Sequence, residues 1–208
     1  MTIIAFISQK GGVGKSTLAR ALAVEASHRK KLRVLLADCD PQQATSYHWL
    51  QVRKKSKFKV EVFPTVQQAL REAPKYDLTI IDGPARTSHA TLEIAQKADL
   101  VIQPTGASRD DLVPAVKEFN ALKKAGIPTK KLLFVPMRLS TPTEAQLIQK
   151  YLKKTDYNCS PFYVLEKTSY KQIQNEGKTI MEVSYNNLAK QAKDLVKSLL
   201  PKAVDIKR

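Results

Sequence analysis

The stretch that most constrains the fold is "KGGVGKST" (10–17), because it joins an apolar run to a helical one. Before it, "TIIAFI" (2–7) is a continuous apolar segment of strand length; after it, residues 15–29 repeat apolar side chains at helical spacing. Strand, glycine-rich turn and helix in that order make a phosphate-cradling loop. Gly11, Gly12 and Gly14, with Val13 between them, let the backbone turn tightly and aim successive N–H groups at phosphate oxygens. The helix N-terminus that follows, with Ser16 and Thr17 in its first turn, adds its dipole and free amides. Lys15 brings a point charge to the outer phosphates, and the Ser16 hydroxyl suits Mg²⁺. The usual template, G-x-x-x-x-G-K-[ST], asks for glycine at position 9 and nothing at position 10. This chain has Gln9 and a second lysine, Lys10.

Further strands are predicted at "RVLLAD" (33–38), "KVEVF" (59–63), "LTIID" (78–82), "LVIQP" (100–104) and "LLFVP" (132–136). Several are apolar throughout, as in strands buried on both faces of a parallel sheet. Helical patterns cover 66–73, 88–97, 110–125, 143–154 and 186–200, and Gly126-Ile127-Pro128 stops the 110–125 helix. The last helix sets Leu188, Ala192, Leu195, Val196 and Leu199 on one side. Alternating strand and helix imply βαβ units and a three-layer α/β/α domain of the P-loop NTPase type, a mostly parallel twisted sheet flanked by helices. With no internal repeat or linker, residues 1–208 read as one domain. Ligands in such sheets bind beyond the carboxyl ends of the strands.

Two carboxylate motifs fall at those ends. "ADCDPQQ" places Asp38 and Asp40 two residues apart, on the same side if the strand reaches that far. One would then lie in the Mg²⁺ shell while the other orients an attacking water; an Asp-Pro turn is the competing reading. "YDLTIIDGPA" ends a hydrophobic strand in Asp82, the form of a metal-holding Walker B carboxylate, and Gly83-Pro84 suits a loop that senses the γ-phosphate. Cys39 and Cys159 have no partner at metal-ligand spacing and read as reduced thiols of a cytoplasmic protein.

Together "KGGVGKST", "DCDPQQ" and "LTIIDGPA" resemble the deviant Walker A loop, the D-x-D-P-Q motif and the switch region of the ParA/MinD ATPases, and "ADLVIQPTGAS" (98–108) resembles the strand and loop that follow. The resemblance implies an ATP- and Mg²⁺-dependent homodimer in which two subunits sandwich two nucleotides. By position Lys15 would serve its own nucleotide and Lys10 the partner subunit's. Asp40 matches the catalytic water-orienting aspartate, and Asp38 and Asp82, with Ser16, those near the metal. "DGPAR" departs from the D-T/C-P-P of many members and leaves the role of Arg86 open. Members usually contact the base near the end of the sixth strand, where "VPMRLS" offers Met137 and Arg138 without the asparagine many relatives carry.

Charge separates the branches of that family. Thirty-five Lys and Arg against 19 Asp and Glu give a net +16, which favours a polyanionic partner. Basic clusters recur at 28–33, 53–59, Lys123-Lys124, Lys130-Lys131, Lys153-Lys154 and the tail, without any module for reading base sequence. Similarity to the short ParA-type partition ATPases implies non-specific DNA binding by the ATP dimer, nucleoid association, a ParB-like centromere-binding adaptor and no N-terminal DNA-reading domain. A cargo other than DNA, such as a carboxysome or chemoreceptor cluster, stays open. MinD-type relatives instead reach membranes through a C-terminal amphipathic helix; here "LLPKAVDIKR" carries Pro201 and Asp205 and no bulky aromatic. A small-molecule P-loop enzyme is the third alternative, disfavoured by Lys10 and the basic surface.

Overall fold

The computed structural model describes residues 1–28, 32–53, 55–85 and 88–200. Arg86, Lys54, the centre of the 28–33 basic cluster and the basic tail lie outside them.

Six strands form the body of one sheet: β1 (Thr2–Phe6), β2 (Val34–Asp38), β3 (Lys59–Val62), β4 (Leu78–Asp82), β5 (Leu100–Thr105) and β6 (Leu132–Leu139). Two short strands, β7 (Asn158–Cys159) and β8 (Val164–Leu165), both pair with β6. The order is β3-β2-β4-β1-β5-β6-β7, and every pairing is parallel. β1 is central, and the chain leaves it by α1 (Lys15–Ser27) to reach β2 on one side, while β5 flanks its other edge. That reversal of direction opens a crevice at the carboxyl end of β1, where the phosphate-type loop sits.

Alternation along β1 feeds two cores. Ile4 and Phe6 pack with Leu18 and Leu22 of α1 and with Leu195, Val196 and Leu199 of α8 (Asn186–Leu199). Ile3, Ala5 and Ile7 face the other layer, with Phe119 of α5 (Arg109–Lys124) and Ile148 of α6 (Pro142–Leu152). Two more helices, α3 (Val66–Glu72) and α4 (Ser88–Lys97), complete that second layer. The amphipathic stripe of α8 is therefore spent against α1 inside the domain, with Leu188 only partly buried at its margin. Among the described residues no helix is long and apolar enough to cross a membrane.

Sequence periodicity missed two helices, α2 (Thr45–Arg53) and α7 (Thr168–Asn175). Each buries only two side chains, Ser46 and Trp49 in α2 and Tyr170 and Ile173 in α7, too few for an apolar stripe. β6 also runs on to Leu139, three residues past its expected end, so Met137 and Arg138 belong to the strand.

Candidate functional site

The loop from Gln9 to Gly14 turns through left-handed backbone at Gly12 (φ 76°) and Gly14 (φ 110°), conformations that favour glycine. Gly14 caps α1, and its carbonyl accepts the N–H of Leu18 at 3.0 Å. A Cβ at Gly14 would also come within 3.0 Å of the Met137 methyl group, so the buried Met137 is the floor of the loop. Lys15 is buried, and that burial holds its pKa below the ordinary lysine value against the pull of Asp82, Asp40 and Glu118. The Thr17 hydroxyl donates to Gln174 Oε1 at 2.9 Å.

The two lysines of the loop occupy opposite environments. Lys10 keeps about half its side chain in solvent (48%) and pairs with Asp111 in the first turn of α5. Asp111 is fixed in turn by the Ser108 hydroxyl, at 2.7 Å from Oδ2. Burial pushes the Asp111 carboxyl up, but bonding to Lys10 and Ser108 outweighs it and holds the pKa below the usual range. Arg138, in left-handed backbone (φ 55°), turns its guanidinium to the Gly12 carbonyl and to Glu166, 3.0 Å away.

Asp38 and Asp82 end adjacent strands as direct register partners, and both are buried. The strand does not reach Asp40, so the condition for a shared side is not met and the Asp-Pro turn is what forms. β2 stops at Asp38, because Asp38 Oδ1 accepts the Asp40 N–H (3.2 Å) and turns the chain ahead of Pro41, which has no N–H to continue a ladder. Asp38 Oδ2 then accepts the N–H groups of Ser46 (2.8 Å) and Tyr47 (3.2 Å) and anchors the start of α2. Asp40 is left half-buried at the cleft, its own carbonyl accepting from Gln43 and Ala44.

Asp82 differs from Asp38. Its Oδ2 accepts from the Ser46 hydroxyl at 2.8 Å, the Ser16 hydroxyl lies against the same carboxyl group, and Oδ1 is buried with no hydrogen-bond partner. Burial first, then the charge of Asp38, pushes its pKa up to about 6. A buried carboxylate oxygen without a donor, beside the first hydroxyl of the phosphate-type loop, is what a divalent cation would satisfy. Ser16 and Asp82 therefore fit a Mg²⁺ ion, whereas both oxygens of Asp38 are engaged by backbone and offer it charge at one remove. Among the described residues no three His, Cys, Asp or Glu side chains form a metal cage. A Mg²⁺ held with nucleotide needs none, since phosphates and water fill its remaining positions.

A cleft of about 370 Å³ brings Gly11, Gly12, Gly14, Lys15, Ser16, Thr17, Asp38, Asp40, Asp82, Met137 and Arg138 together. Lys10 and Val13 stand outside it, on the rim of a neighbouring cleft beside Asp111 and Arg138. Sequence reasoning missed the far wall, built from Val164 to Lys167 and from Tyr170, Lys171 and Gln174 of α7. No motif marks those residues; the one sequence signal available was the spacing of Tyr170 and Ile173, the two residues of α7 that are buried.

Comparison with known proteins agrees with this geometry. The family model described as the CobQ/CobB/MinD/ParA nucleotide binding domain matches residues 4–200. The chain is 34% identical over 150 residues to maintenance of carboxysome distribution protein A of Gloeobacter kilaueensis, covering 69% of this chain and 68% of that one. It is 38% identical over 136 residues to the chromosome-partitioning ATPase Soj of Thermus thermophilus, covering 50% and 54%. In fold it follows the structure of a Cyanothece McdA variant in complex with ATP, at a TM-score of 0.73 and 22% identity over 100% of this chain and 98% of that one. By its loop, its sheet and these relatives, the chain belongs to the ParA/MinD family of P-loop ATPases.

Proposed function

We propose that the protein is a ParA-type partition or positioning ATPase. Mg-ATP joins two copies into a dimer that holds DNA non-specifically, and an adaptor on the cargo stimulates hydrolysis and releases it. The observation that carries this reading is the contrast between the two loop lysines. Lys15 is buried towards the cleft of its own chain, while Lys10 is half in solvent on the rim beyond it. A lysine placed outside its own site serves a second chain's nucleotide better than its own.

Each residue then has a role. The backbone of Gly11 to Gly14 and the start of α1 binds the phosphates, Lys15 and Ser16 hold the outer ones and the cation, and Asp82 supplies the cation's carboxylate. A bound Mg²⁺ would draw charge from the phosphate oxygens. Asp40, turned into the cleft by its bond to Asp38, orients the water, and Met137 and Arg138 support the loop and line the way to the base. The net charge of +16 supports nucleoid DNA as the surface on which the dimer dwells.

An ATP-dependent DNA-binding assay across a salt series tests the reading, with wild type beside Lys10→Ala. Binding should require ATP, weaken steeply with salt and be lost in Lys10→Ala. DNA binding indifferent to nucleotide or to salt would refute it.

A protein cargo is the second reading, favoured by the similarity to the carboxysome distribution protein. Capture of the adaptor by the ATP-locked dimer distinguishes the two: a DNA-binding centromere protein for the first, a component of a protein assembly for the second.

A further inference from the structure

Arg20 lines the inner side of the cleft and is almost buried there. Arg20 lies on α1 four residues after Ser16, on the same helix face, and is only 7% exposed. Its Nε donates to Ser46 Oγ at 3.3 Å, and that hydroxyl donates to Asp82 Oδ2 at 2.8 Å. One guanidinium nitrogen, Nη2, is buried with no hydrogen-bond partner. The guanidinium carbon lies 5.5 Å from the centre of the Trp49 ring, within cation–π range. Trp49 is the chain's single tryptophan.

The indole is itself tethered away from the cleft. Its Nε1 donates to the Lys178 carbonyl at 3.1 Å, and Arg53 lies 5.4 Å from the ring centre while donating to the Gly177 carbonyl at 3.0 Å. A continuous line thus runs from Asp82 through Ser46 and Arg20 to Trp49, and on to the segment after α7. On the proposed reading of the cleft as a Mg-nucleotide site, that line has a purpose. We propose that Arg20 is a positioning residue that links the charge state of the Asp82 site to α2 through Trp49, so that Trp49 reports its occupancy by a metal-bound nucleoside triphosphate.

The physical reason is charge compensation. A buried guanidinium needs negative charge nearby, and Asp82 and Asp38 supply it without a direct ion pair. A divalent cation entering beside Asp82 places like charge near Arg20 and weakens that compensation. Nη2 has no hydrogen bond to give up, so the long Nε–Ser46 bond is the one that yields when the guanidinium shifts along the face of the Trp49 ring. The indole emission responds to a charge moving at this distance, and α2, which begins at the amides held by Asp38, moves with it.

The test is a titration of the intact protein with ATP, followed by Trp49 emission with Mg²⁺ or with EDTA. A ribose-labelled fluorescent ATP measures binding separately. In wild type the Trp49 response should appear with Mg-ATP and be absent in EDTA. Arg20→Met, which keeps volume and apolar packing, should lose the response while labelled-nucleotide affinity falls by less than about tenfold. Arg20→Lys, retaining charge, should recover part of it, and Arg53→Met, which removes the other cation from the ring, should keep it. A silent Trp49 in wild type that binds labelled ATP overturns the proposal, as does an undiminished response in Arg20→Met. Should Arg20→Met fail to fold, the Mg²⁺ requirement in wild type and the partial response of Arg20→Lys decide. Failure of wild type to bind labelled ATP at all would instead sink the nucleotide-site reading on which this rests.

Discussion

Asp38 and Asp82 face each other as register partners at the ends of β2 and β4, yet their environments are unequal. Asp38 accepts three backbone N–H groups, whereas Asp82 keeps one buried oxygen without a donor. Without a cation, Asp82 is the less comfortable member of the pair.

That inequality has a pH signature. Burial and Asp38 raise the Asp82 pKa from 3.8 to about 6, so the folded chain holds this proton more tightly than the unfolded one. Between about pH 4 and 6 the unfolded state binds fewer protons, and stability therefore falls as pH rises through that window and levels off above it. Asp82→Asn, free of that charge, should be more stable than wild type at pH 7 by about 1–3 kcal/mol without nucleotide. Urea unfolding at pH 7 and pH 4.5 checks it: the advantage should shrink by more than half at the lower pH. An advantage equal at both values would contradict the account.

Lys10 is tied to Asp111, but a half-exposed pair of this kind contributes no more than about 1 kcal/mol to the fold. Lys10→Ala should therefore leave the melting temperature and single-chain ATP binding nearly unchanged. Dimerisation with ATP, and the hydrolysis that depends on it, should disappear. Light scattering with a non-hydrolysable ATP analogue measures the first and phosphate release the second; normal hydrolysis by Lys10→Ala would show that the lysine does not serve the partner subunit.

The phosphate side of the cleft was legible in the sequence because its chemistry is local. Glycines, a lysine and a hydroxyl must follow one another within eight residues for one backbone turn to hold a phosphate, and Asp82 must end an apolar strand. Asp40 was legible as a residue, but whether it lay on the strand or in an Asp-Pro turn was not, since the turn depends on Asp38 folding back onto the N–H of Asp40, a bond that spacing does not reveal. The wall built from 164–174 was not legible. β8 has two residues and is placed by its pairing with β6, while α7 buries only Tyr170 and Ile173 and is held by bonds from Thr17 to Gln174 and from Tyr170 to the Leu188 carbonyl. Such elements take their form from tertiary contacts, which leave little periodicity behind.

Gly177 lies in the turn that follows that hidden wall and is testable for itself. It has φ 72°, and a Cβ there would fall 2.4 Å from the Arg53 nitrogen and 2.7 Å from the Val52 carbonyl carbon. Both are backbone atoms at the end of α2, so no side chain can swing aside. Gly177→Ala should cost more than about 1 kcal/mol, lowering the melting temperature by roughly 3 °C or more. It should also loosen Trp49, whose indole bonds to the next residue's carbonyl, and shift its emission to longer wavelength. A melting temperature equal to wild type would mean that the approach of α2 to this turn is wrong.

On the proposed reading, Asp40 should separate binding from chemistry. It lines the cleft, and its backbone carries most of the turn: its N–H donates to Asp38 and its carbonyl accepts from Gln43 and from Ala44, at 2.7 Å from the latter, while its side chain adds one long bond, Oδ1 accepting the Gln43 N–H at 3.4 Å. Asp40→Ala gives up only that long bond and should therefore leave the loop, the cleft and nucleotide affinity close to wild type. Loss of water orientation and of the general-base contribution should slow hydrolysis by about 100-fold or more. With ATP turnover blocked and association intact, Asp40→Ala should accumulate as a DNA-bound dimer when ATP and Mg²⁺ are present. Analytical ultracentrifugation and a DNA mobility shift on the same preparation test both halves. A monomer that binds ATP and ignores DNA would place the function of Asp40 in assembly and remove it from the hydrolytic step.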